Sequence, residues 1–376
     1  LRGANIMRSE WVGNMDFEKK AFPVLSIDWK GNVMLRGFAS DPVNSNNSTY
    51  LGFLDEEQKL AEANNMYIIF AWRSNAINDD QPNMPDDSAQ QALVKLANRY
   101  KGKSNVIYAL QVEPHDVSWN TLLPRFNSMI TAIRQASAPH KPIIMVPGTE
   151  WSRDVHWAIT QPVTADGGIN IVYKSHPYDS SSEFQEQFIN TYNANLPVFI
   201  GEFGTGAFMN QSDVDTLLTI TRERNISWAA WLFDSEGCPC LLTNRTTLNP
   251  TSPYGVSVKN EMLATPVPTL IPSPTKVVTP TPSKPTIVIP SPTKVVTPTP
   301  TFIPKPQTPR LYDTPSYGSP PYGSPSYSSP SSSGTDTTFD LYVLLRNWNK
   351  EGQGDLNNDG KVNIFDLSIL LRSLSR

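Results

Sequence analysis

Asn105-Val-Ile-Tyr-Ala-Leu-Gln-Val-Glu113-Pro114 and Leu196-Pro-Val-Phe-Ile-Gly-Glu202-Phe203-Gly204 decide how this chain folds. Each is a short apolar run rich in Val, Ile, Tyr and Phe, the composition of a strand buried on both faces of a parallel sheet. Each ends on a glutamate where strand gives way to loop. In parallel barrels the carboxyl ends of the strands gather at one mouth. Two such glutamates therefore predict a pair of carboxylates facing one cleft.

Working outward, similar strand-like runs occur at residues 1–6, 33–39, 67–72, 106–112, 143–147, 169–173, 198–201 and 227–233. Helical periodicity fills the gaps. Ala89, Leu93, Leu96 and Tyr100 share one face, as do Phe126, Ile130 and Ile133, then Phe184 and Phe188, then Val214, Leu217 and Leu218 with Ser212 as the expected cap. Eight strand–helix alternations within residues 1–263 predict an α/β fold, the (β/α)₈ or TIM barrel. A doubly wound open sheet is the alternative, but no Gly-rich phosphate turn follows any of the strands.

Composition changes sharply after this region. The chain has 376 residues and 34 prolines, and more than half of those prolines fall in a Pro/Thr/Ser tract at 264–334. Within it Ile-Pro-Ser-Pro-Thr-Lys-Val-Val-Thr-Pro-Thr-Pro occurs at 271–282 and again at 289–300. Proline fixes φ and removes a donor, so such a tract stays extended, a spacer of up to ~200 Å at ~3.1 Å per residue. The formal charge of −4 comes without a clustered basic face, which argues against nucleic acid as a partner. No apolar run approaches the ~20 residues of a membrane span. The chain opens at Leu1 in a strand-like run, so a leader is expected to have been removed or the chain to be a fragment. Cys238 and Cys240, the only cysteines, do not make a disulfide framework.

Residues 335–376 carry a different chemistry. Asp355, Asn357, Asp359, the carbonyl of Lys361, Asn363 and Asp366 occupy positions 1, 3, 5, 7, 9 and 12 of a cation loop, with Gly360 at the turn. This oxygen set suits one structural calcium ion. The helix after it, Phe365-Asp-Leu-Ser-Ile-Leu-Leu-Arg-Ser-Leu374, repeats Phe339-Asp-Leu-Tyr-Val-Leu-Leu-Arg-Asn-Trp348. In the first copy the corresponding loop positions fall on Ser329, Ser331 and Ser333, so only one calcium is expected. Two such repeats, with the loop closing on Asp, resemble a dockerin. That resemblance implies a small all-α module that attaches the chain to a cohesin-type scaffold or a cell surface.

The strand-end residues of the first region form an ordered set: Arg36 on the second strand, Glu113-Pro114 after the fourth, His176 and Tyr178 after the sixth, Gly201-Glu202-Phe203-Gly204 on the seventh and Trp231 on the eighth. In order and placement this set resembles glycoside hydrolase family 5, the cellulase-like retaining glycosidases, over residues 1–263. The resemblance implies that Glu113 is the acid/base and Glu202 the nucleophile. It further implies that Arg36 and Tyr178 orient Glu202 and keep it ionised, that His176 binds the sugar, and that Trp231 is the platform beneath it. Two positions depart from the family pattern: Val112 stands where Asn usually precedes the acid/base, and the third strand ends in Trp72-Arg73 in place of its usual His.

The residue types agree with that chemistry. A carboxyl group that must hold its proton is helped by a second carboxylate about 5 to 6 Å away, and a nearby cation does the reverse for a nucleophile. A Trp face stacks on the C–H side of a pyranose. Glu150 after the fifth strand and Glu10 in the first loop are the rival carboxylates.

The expectation is a secreted, extracellular β-glycan hydrolase with no catalytic cofactor and a polysaccharide substrate, a β-1,4-glucan ahead of mannan or xylan. Its rivals are a non-catalytic glycan-binding barrel and a structural surface protein. Hydrolysis of a soluble β-glucan separates the first from both.

Overall fold

The computed structural model describes residues 1–6, 13–206 and 208–264. Eight parallel strands close into a barrel: β1 (Arg2–Ile6), β2 (Val33–Ala39), β3 (Tyr67–Ser74), β4 (Val106–Ala109), β5 (Ile144–Pro147), β6 (Ile171–Ser175), β7 (Val198–Ile200) and β8 (Ser227–Ala230). Sequential strands pair throughout, and β1 pairs with β8 to complete the circle. The expected barrel is therefore present. The expected linker and C-terminal module, including all six calcium-loop residues, fall beyond Ala264 and outside the described residues.

Strand alternation divides the apolar residues into two cores. Val33, Leu35, Ile69, Ala71, Ile107, Met145 and Phe199 fill the barrel interior. Their neighbours Met34, Phe38, Ile68, Phe70, Tyr108 and Tyr173 face outward into the layer packed by the helices. The alternation explains why every strand reads as continuously apolar: both faces are covered.

The surrounding helices bury the stripes read from sequence. Helix Asp87–Arg99 buries Ala89, Leu93 and Leu96, and helix Trp119–Ser137 buries Phe126, Ile130 and Ile133. Helix Gln211–Arg224 buries Val214, Leu217 and Leu218 but begins differently from expectation. Its cap is Asn210, not Ser212. Asn210 Oδ1 accepts from the Asp213 amide at 3.2 Å and Asp213 Oδ2 accepts from the Asn210 amide at 3.1 Å. This reciprocal box satisfies two end amides, which a serine already inside the helix cannot do. Among the described residues no helix is long and apolar enough to cross a membrane.

Two strands are shorter than their apolar runs. β4 leaves the ladder at Ala109, yet the Leu110 amide donates to the Met145 carbonyl at 3.0 Å and the Val112 amide to the Trp72 carbonyl at 2.7 Å. The segment leading to Glu113 is thus tethered to β5 on one side and β3 on the other. Similarly, β8 ends at Ala230, and Trp231 follows it immediately.

Candidate active site

Glu113 follows β4 and Glu202 follows β7, and their carboxylates converge at the barrel mouth. One carboxylate oxygen from each, together with a ring nitrogen of His176, lie within 4.8 Å of one another. Glu113 Oε1 is 2.9 Å from His176 Nδ1, and its Oε2 accepts from Gln81 Nε2 at 3.1 Å. Glu202 Oε2 accepts from the Tyr178 hydroxyl at 3.4 Å and lies 3.7 Å from His176 Nδ1. Four of the residues singled out from sequence are therefore in one cluster.

Burial and mutual repulsion dominate its electrostatics. Burial, together with the charge of Glu113, pushes the Glu202 carboxyl well above the ordinary carboxylate range. Burial acts to raise Glu113 as well, but the His176 hydrogen bond and the charge of Lys174 outweigh it and hold Glu113 below that range. Two buried carboxylates this close favour one negative charge over two. The opposing shifts favour the charged form at Glu113 and the neutral form at Glu202.

Arg36 does not do what the family resemblance implied. Its neighbours Val33 and Leu35 fill the barrel interior, so strand parity turns Arg36 outward into the helix layer. There Arg36 Nε lies 2.6 Å from Glu57 Oε2, both side chains fully buried, and Nη1 donates to the Tyr50 hydroxyl at 3.3 Å. Both of these contacts are to helix Ser48–Ala63. The cations that act on Glu202 are instead Lys174 and, more weakly, Arg73.

Lys174 is fully buried on β6 and shares the inward face with His176. Its Nζ donates to the Val112 carbonyl at 2.6 Å and sits 2.8 Å from His176 Nε2. Burial lowers its pKa to about 8, opposed by Glu202 and Glu113. Burial and the Lys174 charge lower His176 to about 4, so the imidazole is neutral near pH 7. Gly201, just before Glu202, makes room for both: a Cβ there would meet His176 Nε2 at 2.6 Å and the Lys174 stem at 2.7 Å.

Trp231, the residue after β8, is half-buried. Its ring N–H donates to the Gly237 carbonyl at 2.9 Å, its amide donates to the Phe203 carbonyl at 3.0 Å, and the Tyr254 hydroxyl donates to its carbonyl at 2.5 Å. The same hydroxyl lies 2.7 Å from the Phe203 carbonyl, which joins the segment after β8 to the one after Glu202. Val112, in the position where the family has Asn, packs into the barrel core. Gln111 donates to the Pro82 carbonyl at 2.6 Å and so supports the loop that carries Gln81.

Of the rival carboxylates, Glu150 is exposed and outside the cluster, and Glu10 is outside the described residues. Cys238 and Cys240 form a disulfide with each other, a pairing not anticipated from their one-residue spacing. Sequence reading also missed Lys174 and Gln81. Parity with His176 could have found Lys174, since i and i+2 on a strand share a face. Gln81 lies in a loop and carried no such signal.

Residues 5–237 match the family model Cellulase (glycosyl hydrolase family 5). The chain is 27% identical over 242 residues to Endoglucanase Z of Dickeya dadantii (strain 3937), covering 60% of this chain and 53% of that protein. It is 26% identical over 254 residues to Endoglucanase E-5 of Thermobifida fusca, covering 63% and 52% respectively. It thus spans about half the length of these curated relatives. Among solved structures, a beta-glucanase from Saccharophagus degradans superposes with a TM-score of 0.60 at 19% identity, covering 70% of this chain and 87% of that one. The catalytic domain of Thermobifida fusca endoglucanase Cel5A gives 0.58 at 22% identity, covering 70% and 92%. At these identities the structural likeness establishes a common fold. The family match extends over more than half of the chain, and the chain belongs to the cellulase family, glycosyl hydrolase family 5.

Proposed function

We propose that the chain is a retaining glycoside hydrolase that cleaves β-linked glucan, with a β-1,4-glucan ahead of mannan or xylan. The observation that carries this reading is the convergence of Glu113 and Glu202, with carboxylate oxygens within 4.8 Å. A retaining pair stands about 5 Å apart because one carboxylate itself attacks the sugar, whereas an inverting pair leaves space for a water between carboxylate and sugar.

In the first step Glu202 attacks the anomeric carbon while Glu113 gives its proton to the departing glycosidic oxygen. In the second, Glu113 takes a proton from water, the hydroxyl adds to the anomeric carbon, and the bond to Glu202 breaks. The productive state has the proton on Glu113 and the charge on Glu202. Tyr178 remains a hydrogen-bond donor to the nucleophile, and Trp231 offers its ring to the sugar.

The names of the relatives support a glucan: two are endoglucanases, and the Saccharophagus degradans beta-glucanase has been crystallised with cellotetraose. The test is a panel of soluble glucan, mannan, xylan and xyloglucan, with the anomer of the first product followed by NMR. Glucan cleavage with retention is expected. Inverted product, or no hydrolysis of any of the four, overturns the reading; the latter favours a glycan-binding barrel.

The same proposal places the protein outside the cell, where residues 264–334 space the barrel from a dockerin-like module at 335–376 with a cohesin-type partner. Asp355, Asp359 and Asp366 supply most of the charge that offsets dehydrating a calcium ion. Calorimetric titration of the full chain is expected to give one calcium per chain, lost in Asp355→Ala with hydrolysis unchanged. Two equivalent sites, or none, refute that part.

A further inference from the structure

We propose that Lys174 is a positioning residue for this reaction: its ammonium fixes the tautomer of His176, which aims an N–H at Glu113, and pins the backbone from which Glu113 projects. This inference rests on the glycosidase reading above for its kinetic consequences, and on hydrogen-bond geometry alone for its structural ones.

An ammonium has three donors and no acceptor. With Nζ at 2.6 Å from the Val112 carbonyl and 2.8 Å from His176 Nε2, both contacts must be donated by Lys174. Nε2 is then an acceptor, and a neutral imidazole carries its one proton on Nδ1. That nitrogen faces Glu113 Oε1 at 2.9 Å, so the ring donates to the carboxylate. The relay has one direction, from Lys174 through His176 to Glu113.

The second contact holds the main chain. The Val112 carbonyl also accepts from Ser152 Oγ at 3.0 Å, and the His176 amide donates to the Ser152 carbonyl at 2.9 Å. Lys174, Ser152 and His176 thereby lock the residue that immediately precedes Glu113. Gly201 completes the arrangement, since any side chain there would collide with the Lys174 stem and the His176 ring.

The charged and titratable groups that face Lys174 are Glu113 after β4, His176 immediately after β6, and Glu202 after β7. Arg73 near the end of β3 and Tyr178, hydrogen-bonded to Glu202 at 3.4 Å, also act on Glu202. Lys174 therefore provides the buried positive charge that the family resemblance assigned to Arg36. Removing it leaves two carboxylates with less cationic support, and both titrations move to higher pH. The acidic limb of the kcat/KM profile reports ionisation of the free site. It should move up in a Lys174→Met variant, by roughly one pH unit.

Two measurements test this. The first uses the wild-type chain, ¹⁵N-labelled at its four histidines and assigned with His176→Gln. His176 is expected as the neutral Nδ1–H tautomer near pH 7, and Lys174→Met is expected to change its ring shifts. An Nε2–H tautomer in the wild type overturns the proposal, and needs no variant to fold. The second is the kinetics of Lys174→Met, checked for folding by circular dichroism. The expected result is a kcat lower by roughly 10- to 100-fold, with KM within about threefold and the acidic limb displaced upward. An unmoved limb in a folded variant overturns it, because loss of packing alone does not shift a titration. If the predicted tautomer is found and the wild type hydrolyses no glycan, the glycosidase reading fails while the hydrogen-bond assignment stands.

Discussion

Glu202→Ala is expected to abolish β-glucan hydrolysis, lowering turnover by on the order of 10⁵-fold. Without the carboxylate no covalent intermediate forms, and the remaining groups can only bind and polarise the substrate. Azide fits the space left by the missing side chain and attacks the same face, so with an activated aryl glycoside it should restore turnover and yield the inverted glycosyl azide. Glu113→Ala should behave differently. Its loss removes the proton donor, which matters for a sugar leaving group and little for a phenol that departs as an anion. Polysaccharide hydrolysis should fall steeply while formation of the intermediate from the aryl glycoside survives. If the two variants respond alike to aryl glycoside and azide, the roles assigned to the two glutamates are wrong.

The second large effect is on stability. Arg36 and Glu57 form a fully buried ion pair at 2.6 Å. Cutting such a pair on one side takes away the cation 2.6 Å from a buried carboxylate, and breaking a buried pair in this way costs about 3–5 kcal/mol. Arg36→Met is therefore expected to lower Tm by about 10 °C, at ~2–4 °C per kcal/mol for a domain of this size. The double variant Arg36→Met/Glu57→Leu replaces both charges with apolar groups and should recover most of the loss. Whatever folds should keep the wild-type pH profile. A single variant that melts like the wild type but shows a displaced acidic limb would return Arg36 to the role of holding Glu202 ionised.

These two experiments separate chemistry from support, a distinction that the sequence draws only in part. Arg36 stands in the expected place in the family order, but its strand is apolar on both faces, so nothing in Val33-Met-Leu-Arg-Gly-Phe-Ala39 states which parity faces inward. Register decides it. Val33 and Leu35 fill the interior, and the charge left outside had to find a partner on helix Ser48–Ala63. Ser212 was displaced as a cap for a similar reason: Asn210 and Asp213 together satisfy two end amides.

The barrel itself was legible because it is written in local periodicity: eight apolar runs, intervening helical stripes, and carboxylates where the runs end. The convergence of Glu113, Glu202, His176 and Tyr178 was legible for the same reason, since closing a parallel barrel brings the ends of all strands to one rim. The expected calcium loop is likewise a reading of spacing within one segment, and it lies outside the described residues. Tertiary structure alone decided the long-range pairings. Gln81 reaches Glu113 from a loop, and Lys174 lies between His176 and the Val112 carbonyl. Hydrophobic pattern fixes which faces are buried, but a buried polar side chain takes its role from the one or two atoms it meets across the fold, and those distances exist only once the barrel has closed.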